Sequence, residues 1–449
     1  MAISGISSFQ EKMGELKAQR AGAIRLANER QLKVAILGAG PAGLIRAIES
    51  VMDNHRTLVI ERRADQEGNV NGRSNTVAIN HETMPLLQRY GIYQWLLEND
   101  RIYPYNEEQR PYISVRLKDI ELAMKAVLQE LVPGEEIIRY GSSVDQVSEA
   151  RGQVAIQVSN EWIEDIDILV NAEGSRSSTN QLLHIERRED LEKVPVIAAI
   201  FEDTRPSITG VCSFFAYIGE TIYQCAVSVY YYAIFFFKFI FQCETIWNQD
   251  RTIAGSLILK TPGQNYLGCG FSEAKSEELL ALQRKFEALP ADSPERLEAE
   301  EAFNSMARYW INLSFCSANF FSFLVKCFQC FGCYRGPDIA AEMAGRFPLK
   351  SFKMIEIGAD RAVIAERRMR DSAYLLCGDA LATVDPTTGL GANTAIGTVD
   401  YFEDVMKGMK RGRNLNGLLE EYRERCEGRI AVIHAKSKAL RAAYRPDAL

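Results

Sequence analysis

Residues 33–43 have the sequence KVAILGAGPAG, a short apolar run that ends in three glycines, Gly38, Gly40 and Gly43. Residues 44–51 continue with helical character, so the pattern predicts a strand, a tight turn and a helix. The first glycine permits the turn, the second lets the backbone approach a pyrophosphate, and the third lets helix and strand pack closely. Because the helix N-terminus would also point its N–H groups at the anion, the loop predicts dinucleotide binding. The predicted contacts are Gly38, Gly40, Pro41, Ala42 and Gly43.

A second apolar run, residues 57–60, completes a β-α-β unit and ends at Glu61, with Arg62 next in the chain. A carboxylate at the tip of this strand is placed to accept a hydrogen bond from a ribose hydroxyl, and we include both residues in the predicted site. Without this acid, a glycine-rich turn in an ordinary α/β domain would explain the loop. With it, the sequence favours a dinucleotide, and this motif alone leaves NAD and FAD open.

The composition is that of a globular protein of 449 residues, 47% of them hydrophobic and 25% charged, and this length predicts two or three structural units. The formal net charge of −7 argues against nucleic acid as a partner, because it supplies no broad basic surface for a phosphate backbone. Charges throughout residues 11–25 leave no apolar segment for a secretory signal. Ten scattered cysteines are typical of a reducing compartment. We therefore expect a cytoplasmic protein.

The late part of the chain decides between the two coenzymes. Residues 374–377 predict another strand, which runs into Gly378-Asp379, and residues 385–396 follow with the sequence DPTTGLGANTAI. An aspartate at a strand end can accept a hydrogen bond from a polyol, and a helix start with nearby glycines can offer N–H groups to a carbonyl or an anionic ring. FAD has both a ribitol and an isoalloxazine. We therefore predict FAD, with contacts from Gly378, Asp379, Pro386, Gly389, Gly391, Ala392 and Asn393.

A third motif, residues 171–177 with the sequence NAEGSRS, follows a predicted strand between the other two. The three motifs in this order resemble the FAD-dependent monooxygenases of the p-hydroxybenzoate hydroxylase type, the single-component aromatic hydroxylases. The chain departs from that family in carrying Glu173 where aspartate is usual, and in lacking a histidine shortly after Asp379. Residues 378–381 and the strand at 113–116 are also similar, more weakly, to the flavin domains of MICAL proteins.

The resemblance adds four residues to the predicted cofactor site. It implies that Glu173 and Gly174 lie near the pyrophosphate, that Arg116 contacts the pyrophosphate or the ribityl chain, and that Arg73 lies along the flavin. An arginine suits such a site because its planar fork can hold two phosphate oxygens. The alternative for each arginine is a surface or ion-paired side chain.

The predicted fold is α/β, a discontinuous Rossmann-like FAD-binding domain with an inserted β-sheet substrate domain and C-terminal helices. Residues 195–270 are rich in aromatic and β-branched residues, which predicts several strands of a separate sheet. The predicted boundaries are an N-terminal helix at 1–30, the FAD-binding domain at 31–185 and 352–410, the substrate domain with a helical insertion at 186–351, and C-terminal helices at 411–449.

The resemblance also implies an activity, that of an FAD-dependent, NAD(P)H-using monooxygenase. Gly268 and Gly270 lack the third glycine of a second nucleotide loop, so NAD(P)H would visit transiently as the electron donor. In the family, O2 adds to the reduced flavin as a hydroperoxide and one oxygen atom passes to the substrate. The aromatic content of the predicted sheet suggests a small apolar or aromatic substrate. The sequence identifies no catalytic base.

Two other functions remain open at this point. One is an FAD-dependent reductase or dehydrogenase of a lipid-like substrate. The other is a non-catalytic flavin-binding interaction protein, which the departures at Glu173 and after Asp379 would favour.

Two apolar segments, residues 221–237 and 312–333, carry polar residues throughout and fall short of a membrane-spanning helix. Their aromatic content leaves peripheral contact with a membrane or a protein partner open. Within the second segment, Cys327, Cys330 and Cys333 could ligate a metal or lie on one buried helix face. We predict no metal, because no fourth ligand follows at that spacing and the four histidines are far apart in sequence.

Overall fold

The chain divides into two compact units, Met1–Lys193 with Gly358–Ala443, and Val194–Ile357 with Tyr444–Leu449. The first unit is therefore assembled from two separate stretches of sequence. The computed structural model describes residues 7–26, 30–64, 76–104, 113–150, 153–202, 253–261, 264–271, 273–290, 293–307, 349–385 and 388–444.

Helices and strands alternate along the described residues. The strands are β1 (Lys33–Leu37), β2 (Arg56–Ile60), β3 (Thr76–Ile79), β4 (Ile102–Pro104), β5 (Ile113–Arg116), β6 (Ile138–Arg139), β7 (Val144–Ala150), β8 (Gln153–Val158), β9 (Glu161–Ile166), β10 (Ile168–Asn171), β11 (Arg187–Glu202), β12 (Ile253–Thr261), β13 (Gln264–Phe271), β14 (Leu349–Ala362), β15 (Glu366–Met369) and β16 (Ser372–Leu376). The helices are α1 (Phe9–Leu26), α2 (Pro41–Met52), α3 (Met84–Arg89), α4 (Ile92–Glu98), α5 (Leu117–Leu131), α6 (Ser178–Leu182), α7 (Glu273–Glu287), α8 (residues 294–307), α9 (Gly391–Gly397), α10 (Val399–Lys410) and α11 (Leu415–Tyr444).

A six-stranded sheet with strand order β15-β16-β10-β1-β2-β6 forms the centre of the first unit. β1 pairs in parallel with β2 on one side and with β10 on the other, and β10 pairs in parallel with β16. The strands β10 and β16 are buried along their whole length, as expected for parallel strands covered on both faces. The helix α2 connects β1 to β2, which confirms the predicted β-α-β unit.

Two small antiparallel sheets, β3-β5-β4 and β7-β8-β9, complete the strands of the first unit. The second unit contains a four-stranded sheet with order β12-β13-β11-β14, in which β13 pairs antiparallel with both β11 and β12. These features confirm the predicted α/β fold, with a discontinuous nucleotide-binding unit, a separate β-sheet and C-terminal helices.

The predicted apolar segments at 221–237 and 312–333, including the three closely spaced cysteines, lie outside the described residues. Among the helices that are described, none has an apolar stretch long enough to cross a membrane. The same part of the chain contains no cluster of three or more His, Cys, Asp or Glu side chains that could hold a metal ion.

A buried carboxyl group lies in the first unit beside a cavity of about 120 Å³ that residues of α1, α2 and α10 line. Glu49 of α2 is only 2% exposed. It accepts a hydrogen bond from the hydroxyl of Tyr90 and lies 3.6 Å from the guanidinium of Arg89. Burial raises the pKa of Glu49 to about 7, the carboxylate of Glu403 adds to the rise, and Tyr90 and Arg89 oppose it. Glu49 therefore titrates near neutral pH.

We expect Glu49→Gln to flatten the pH dependence of stability near neutrality. The folded protein favours the protonated carboxyl, whereas the unfolded chain ionises at the ordinary pKa of 4.5. The stability linked to this group is therefore present in full below pH 4.5 and is lost as the pH rises through about 7. Glutamine cannot ionise and keeps an acceptor for Tyr90. The variant should gain roughly 1–3 kcal/mol over the wild type at about pH 8, and less at about pH 5.

Urea unfolding across this pH range measures the effect. The matched control is Glu424→Gln, which changes an exposed glutamate on α11 and should leave the profile unchanged. Parallel stability profiles for wild type and Glu49→Gln would contradict the assignment of the titration to Glu49.

Candidate functional site

The carboxyl edge of the six-stranded sheet brings the sequence motifs together. Ile60, Leu37, Asn171 and Leu376 are the last residues of β2, β1, β10 and β16, and they pair with one another in register across the sheet. In the chain, these four strand ends are followed by Glu61, the glycine loop, the middle motif and the late motif, respectively. Three strand spacings of about 4.8 Å place the outer two motifs roughly 14 Å apart. An elongated ligand laid along this edge would meet all four.

The glycine loop has the tight geometry that its sequence predicts. Gly38 has a φ of +101°, and a Cβ atom there would lie 2.5 Å from the carbonyl oxygen of Ala172. A Cβ atom on Gly43 would lie 2.0 Å from the carbonyl oxygen of Gly38. Gly40 precedes α2 in an extended conformation, Pro41 is the first helical residue, and the first turn of α2 carries no acidic side chain. The N-terminus of α2 is therefore open to an anion at the carboxyl edge.

The predicted ribose acceptor, Glu61, also holds the loop. One carboxylate oxygen accepts a hydrogen bond from the Ala39 N–H at 2.7 Å, and the other accepts from the backbone N–H of Arg63 at 2.9 Å. The guanidinium of Arg63 donates to both oxygens, at 2.8 and 3.1 Å. Burial alone would raise the pKa of Glu61, but these hydrogen bonds outweigh it and lower the pKa. The Arg63 side chain is 46% exposed.

In the middle motif, Glu173 binds the start of α6. Its carboxylate accepts hydrogen bonds from the hydroxyls of Ser177 and Ser178, at 2.6 and 3.0 Å, and from the backbone N–H of Thr179 at 3.0 Å. A carboxylate at a helix N-terminus is favourable for the helix. Gly174 has a φ of +86° with open space beside it. The predicted contact of these two residues with the cofactor remains a prediction, whereas the helix-capping role of Glu173 was not foreseen.

A buried polar network behind the middle motif joins it to the late motif. The side-chain amide of Asn171 donates hydrogen bonds to the hydroxyl of Ser177 and to the side-chain oxygen of Asn180, both at 2.8 Å, and lies 2.7 Å from the hydroxyl oxygen of Tyr374. Asn180 in turn donates to the carbonyl oxygen of Ala380 at 3.1 Å. The motif sequence contains Asn171, but its spacing gives no signal for partners that are distant in the chain.

The late Gly-Asp turn packs directly on the glycine loop. Gly378 has a φ of +54°, and a Cβ atom there would lie 2.8 Å from the Cβ of Ala42. Residues Gly378–Ala380 form a short 3-10 turn in which Asp379 is exposed. The first and last motifs of the sequence are therefore neighbours in the structure, with an exposed carboxylate at the end of β16.

The segment after the Gly-Asp turn, residues 388–393, is held by the hydrogen bonds of Asn393. Its two glycines have open space beside them. Asn393 is 1% exposed. It donates to the carbonyl oxygens of Ala78 and Gly389, at 2.7 and 2.8 Å, and accepts from the Asn80 N–H at 2.9 Å. Gly389 has a φ of +63°, and a Cβ atom on Gly389 or Gly391 would meet nothing within 4 Å. Ala392 packs partly against the core. Asn393 thus secures the loop to β3, and the two glycines leave room for a flat ligand.

The predicted arginine contacts have different surroundings. Arg116 lies at the end of β5, and its Nε donates to the carboxylate of Asp119 at 2.7 Å, so it has the ion-paired arrangement considered as an alternative. Arg62 is exposed. Arg73 and Pro386 lie outside the described residues. The roles of all four in binding a cofactor remain predictions.

The aligned motifs define a protein of the Rossmann-like dinucleotide-binding class whose binding domain is split in the sequence. Residues 31–140 and 338–436 match the family described as FAD binding domain. This match supports the predicted FAD-binding domain and, with it, the predicted cofactor FAD. Comparison with curated proteins finds no sequence match.

Solved structures with the same fold include several enzymes. Aklavinone-11 hydroxylase, solved with FAD and aklavinone, has a TM-score of 0.56 and 16% identity, covering 93% of this chain and 70% of that one. PqsL from Pseudomonas aeruginosa, a probable FAD-dependent monooxygenase, has a TM-score of 0.55 and 14% identity, covering 92% and 97%. The Diels-Alderase PyrE3 has a TM-score of 0.55 and 16% identity, covering 92% and 75%.

At these identities the likeness concerns the fold. Together with the matched domain, it supports the resemblance to FAD-dependent hydroxylases and the predicted class, an FAD-dependent oxidoreductase. The similarity to a Diels-Alderase indicates that one fold can serve different reactions.

Proposed function

We propose that this chain is an NAD(P)H-using monooxygenase that transfers one oxygen atom from O2 to a small apolar or aromatic substrate. The observation that carries the proposal is the in-register alignment of the four motifs along one sheet edge, in a chain with an FAD-binding domain. Similarity to the fold of a hydroxylase that binds FAD and aklavinone supports the reaction class. When bound, FAD supplies the electron transfer and the oxygen chemistry that this reaction needs.

The described residues fit FAD at both ends of that edge. The open N-terminus of α2 suits the pyrophosphate, and Glu61 suits the ribose of the adenosine end once Arg63 moves aside. At the other end, the exposed carboxylate of Asp379 suits a ribitol hydroxyl, and the open space above Gly389 and Gly391 suits the ring. The protein would thus bind the coenzyme in an extended form and orient its ring against the loop that Asn393 secures.

The decisive test is whether NAD(P)H oxidation is coupled to the incorporation of an oxygen atom from O2 into the substrate. Purified protein should be yellow, should bleach when NADH or NADPH is added without air, and should recover its colour in air. A panel of small aromatic compounds, scored by mass spectrometry under isotopically labelled O2, should include one that accelerates NAD(P)H oxidation and gains a labelled oxygen atom. Accelerated oxidation that gives an unlabelled product would favour a reductase or dehydrogenase. A bound flavin that neither nucleotide reduces would favour a non-catalytic role or a non-oxidative reaction.

We expect Asp379→Ala to weaken FAD binding by roughly 10- to 100-fold, since a hydrogen bond to a charged group is worth about 1.5–3 kcal/mol. Titration of the flavin-free protein with FAD, followed by flavin fluorescence, gives the dissociation constant. The matched control is Asp371→Ala, because Asp371 is an aspartate with a 79% exposed side chain next to the opposite end of the same strand, β16. Wild-type FAD affinity in Asp379→Ala would contradict the placement of the ribitol.

A further inference from the structure

A single buried arginine connects the two ends of the proposed FAD site. Arg46 of α2 is fully buried, at 0% exposure. One terminal nitrogen donates to the carbonyl oxygens of Ala42 and Ala395, at 2.8 and 3.0 Å, and the other donates to the hydroxyl of Thr398 at 2.8 Å. Ala42 lies 4 residues from Arg46 in the chain, whereas Ala395 and Thr398 lie 349 and 352 residues from it. One side chain therefore holds together segments that the sequence separates widely.

The three acceptors lie in the segments that carry the two ends of the proposed site. Ala42 lies in the first turn of α2, beside the glycine loop, whereas Ala395 and Thr398 lie at the C-terminal end of α9, which begins at Gly391. The carbonyl of Ala395 is one of the last four of its helix, which lack partners within the helix. A cation at that end also complements the helix dipole.

We infer that Arg46 is a positioning residue for FAD, which fixes the ring-facing loop at Gly391 relative to the phosphate loop. The inference rests on the proposed function, because it assumes that FAD spans both loops. A guanidinium suits the task because its N–H groups point in fixed, divergent directions and can satisfy acceptors on two helices at once. Its loss would take the arginine donor from the carbonyl oxygen of Ala395 and free α9 to shift against α2.

Arg46→Met tests the inference by comparing two ligands. ADP carries only the adenosine and pyrophosphate portion of FAD, so its affinity reports on the glycine loop and Glu61 and not on the ring-facing loop. We expect the variant to bind ADP within about threefold of wild type, but FAD at least about tenfold more weakly. The preference for FAD over ADP should therefore fall. A purely structural role would lower thermal stability without changing this preference.

Two further variants provide a control and a second test. Arg20→Met removes an arginine that donates to the carbonyl oxygens of Val51 and Leu131 at the far ends of α2 and α5, so it should lower stability and leave the preference intact. Thr398→Val removes one acceptor of Arg46. If Arg46→Met does not fold, Thr398→Val should still lower the preference for FAD over ADP, by about threefold.

The outcomes separate this inference from the proposed function. A wild-type protein that binds FAD no better than ADP would overturn both. A wild type that prefers FAD, together with Arg46→Met or Thr398→Val variants that keep the full preference, would overturn only the role of Arg46.

Discussion

Gly43→Ala is expected to purify without FAD and to be severely destabilised. The new Cβ atom would lie 2.0 Å from the carbonyl oxygen of Gly38, 3.2 Å from its carbonyl carbon and 3.3 Å from the Cβ of Ala172. Two of these atoms belong to the backbone of the glycine loop, and the third is the Cβ of Ala172, the residue after β10; none of the three can rotate away. Relief requires α2 to move off the sheet, at an expected cost of more than about 4 kcal/mol.

FAD binding should be lost with the stability, because the loop and the N-terminus of α2 form the pyrophosphate end of the site. Flavin absorbance of the purified protein and urea unfolding measure the two effects. The matched control is Gly428→Ala in α11, where a Cβ atom meets nothing within 4 Å. This substitution replaces a helical glycine and should stabilise the protein by about 0.5–1 kcal/mol. Retention of FAD by Gly43→Ala would refute the close packing of the loop.

The sequence was sufficient to predict the sheet and its nucleotide edge because both depend on local pattern. The run at 33–37 is apolar at every position after Lys33, which is typical of a strand buried on both faces. Gly43 is required by contact with the nearby backbone of Gly38, and Gly38 has the positive φ that a tight turn needs. Each predicted motif also followed a predicted strand. Since parallel strands present their carboxyl ends at one edge, motifs that follow such strands come together there.

The sequence could not predict which polar residues hold the motifs in place. Arg46 looks like one more charge on a helix, yet it is buried against carbonyls near the other end of the chain. Asn393 stays a predicted cofactor contact, but its side chain also forms hydrogen bonds with backbone groups of Ala78, Asn80 and Gly389, which the sequence did not indicate. Such partners are set by the packing of distant segments, and residue spacing carries no signal for them.

Gly391→Val is expected to abolish FAD binding while leaving the fold intact. A Cβ atom at this position meets nothing within 4 Å, and the residue opens α9 with no conformation that demands glycine, so we expect the fold to tolerate a larger side chain. The same open space is where we place the isoalloxazine ring. A branched side chain would occupy it, and we expect the FAD dissociation constant to rise by about 100-fold or more, equivalent to roughly 3 kcal/mol.

Titration with FAD and thermal unfolding of the flavin-free protein separate binding from stability. The unfolding temperature of Gly391→Val should stay within about 2 °C of wild type, in contrast to Gly43→Ala. Gly417→Val is the matched control, because Gly417 in α11 also has nothing within 4 Å of an added Cβ atom but lies outside the motifs. If Gly391→Val binds FAD as tightly as this control does, the ring cannot lie against Gly391, although the pyrophosphate end of the site would stand.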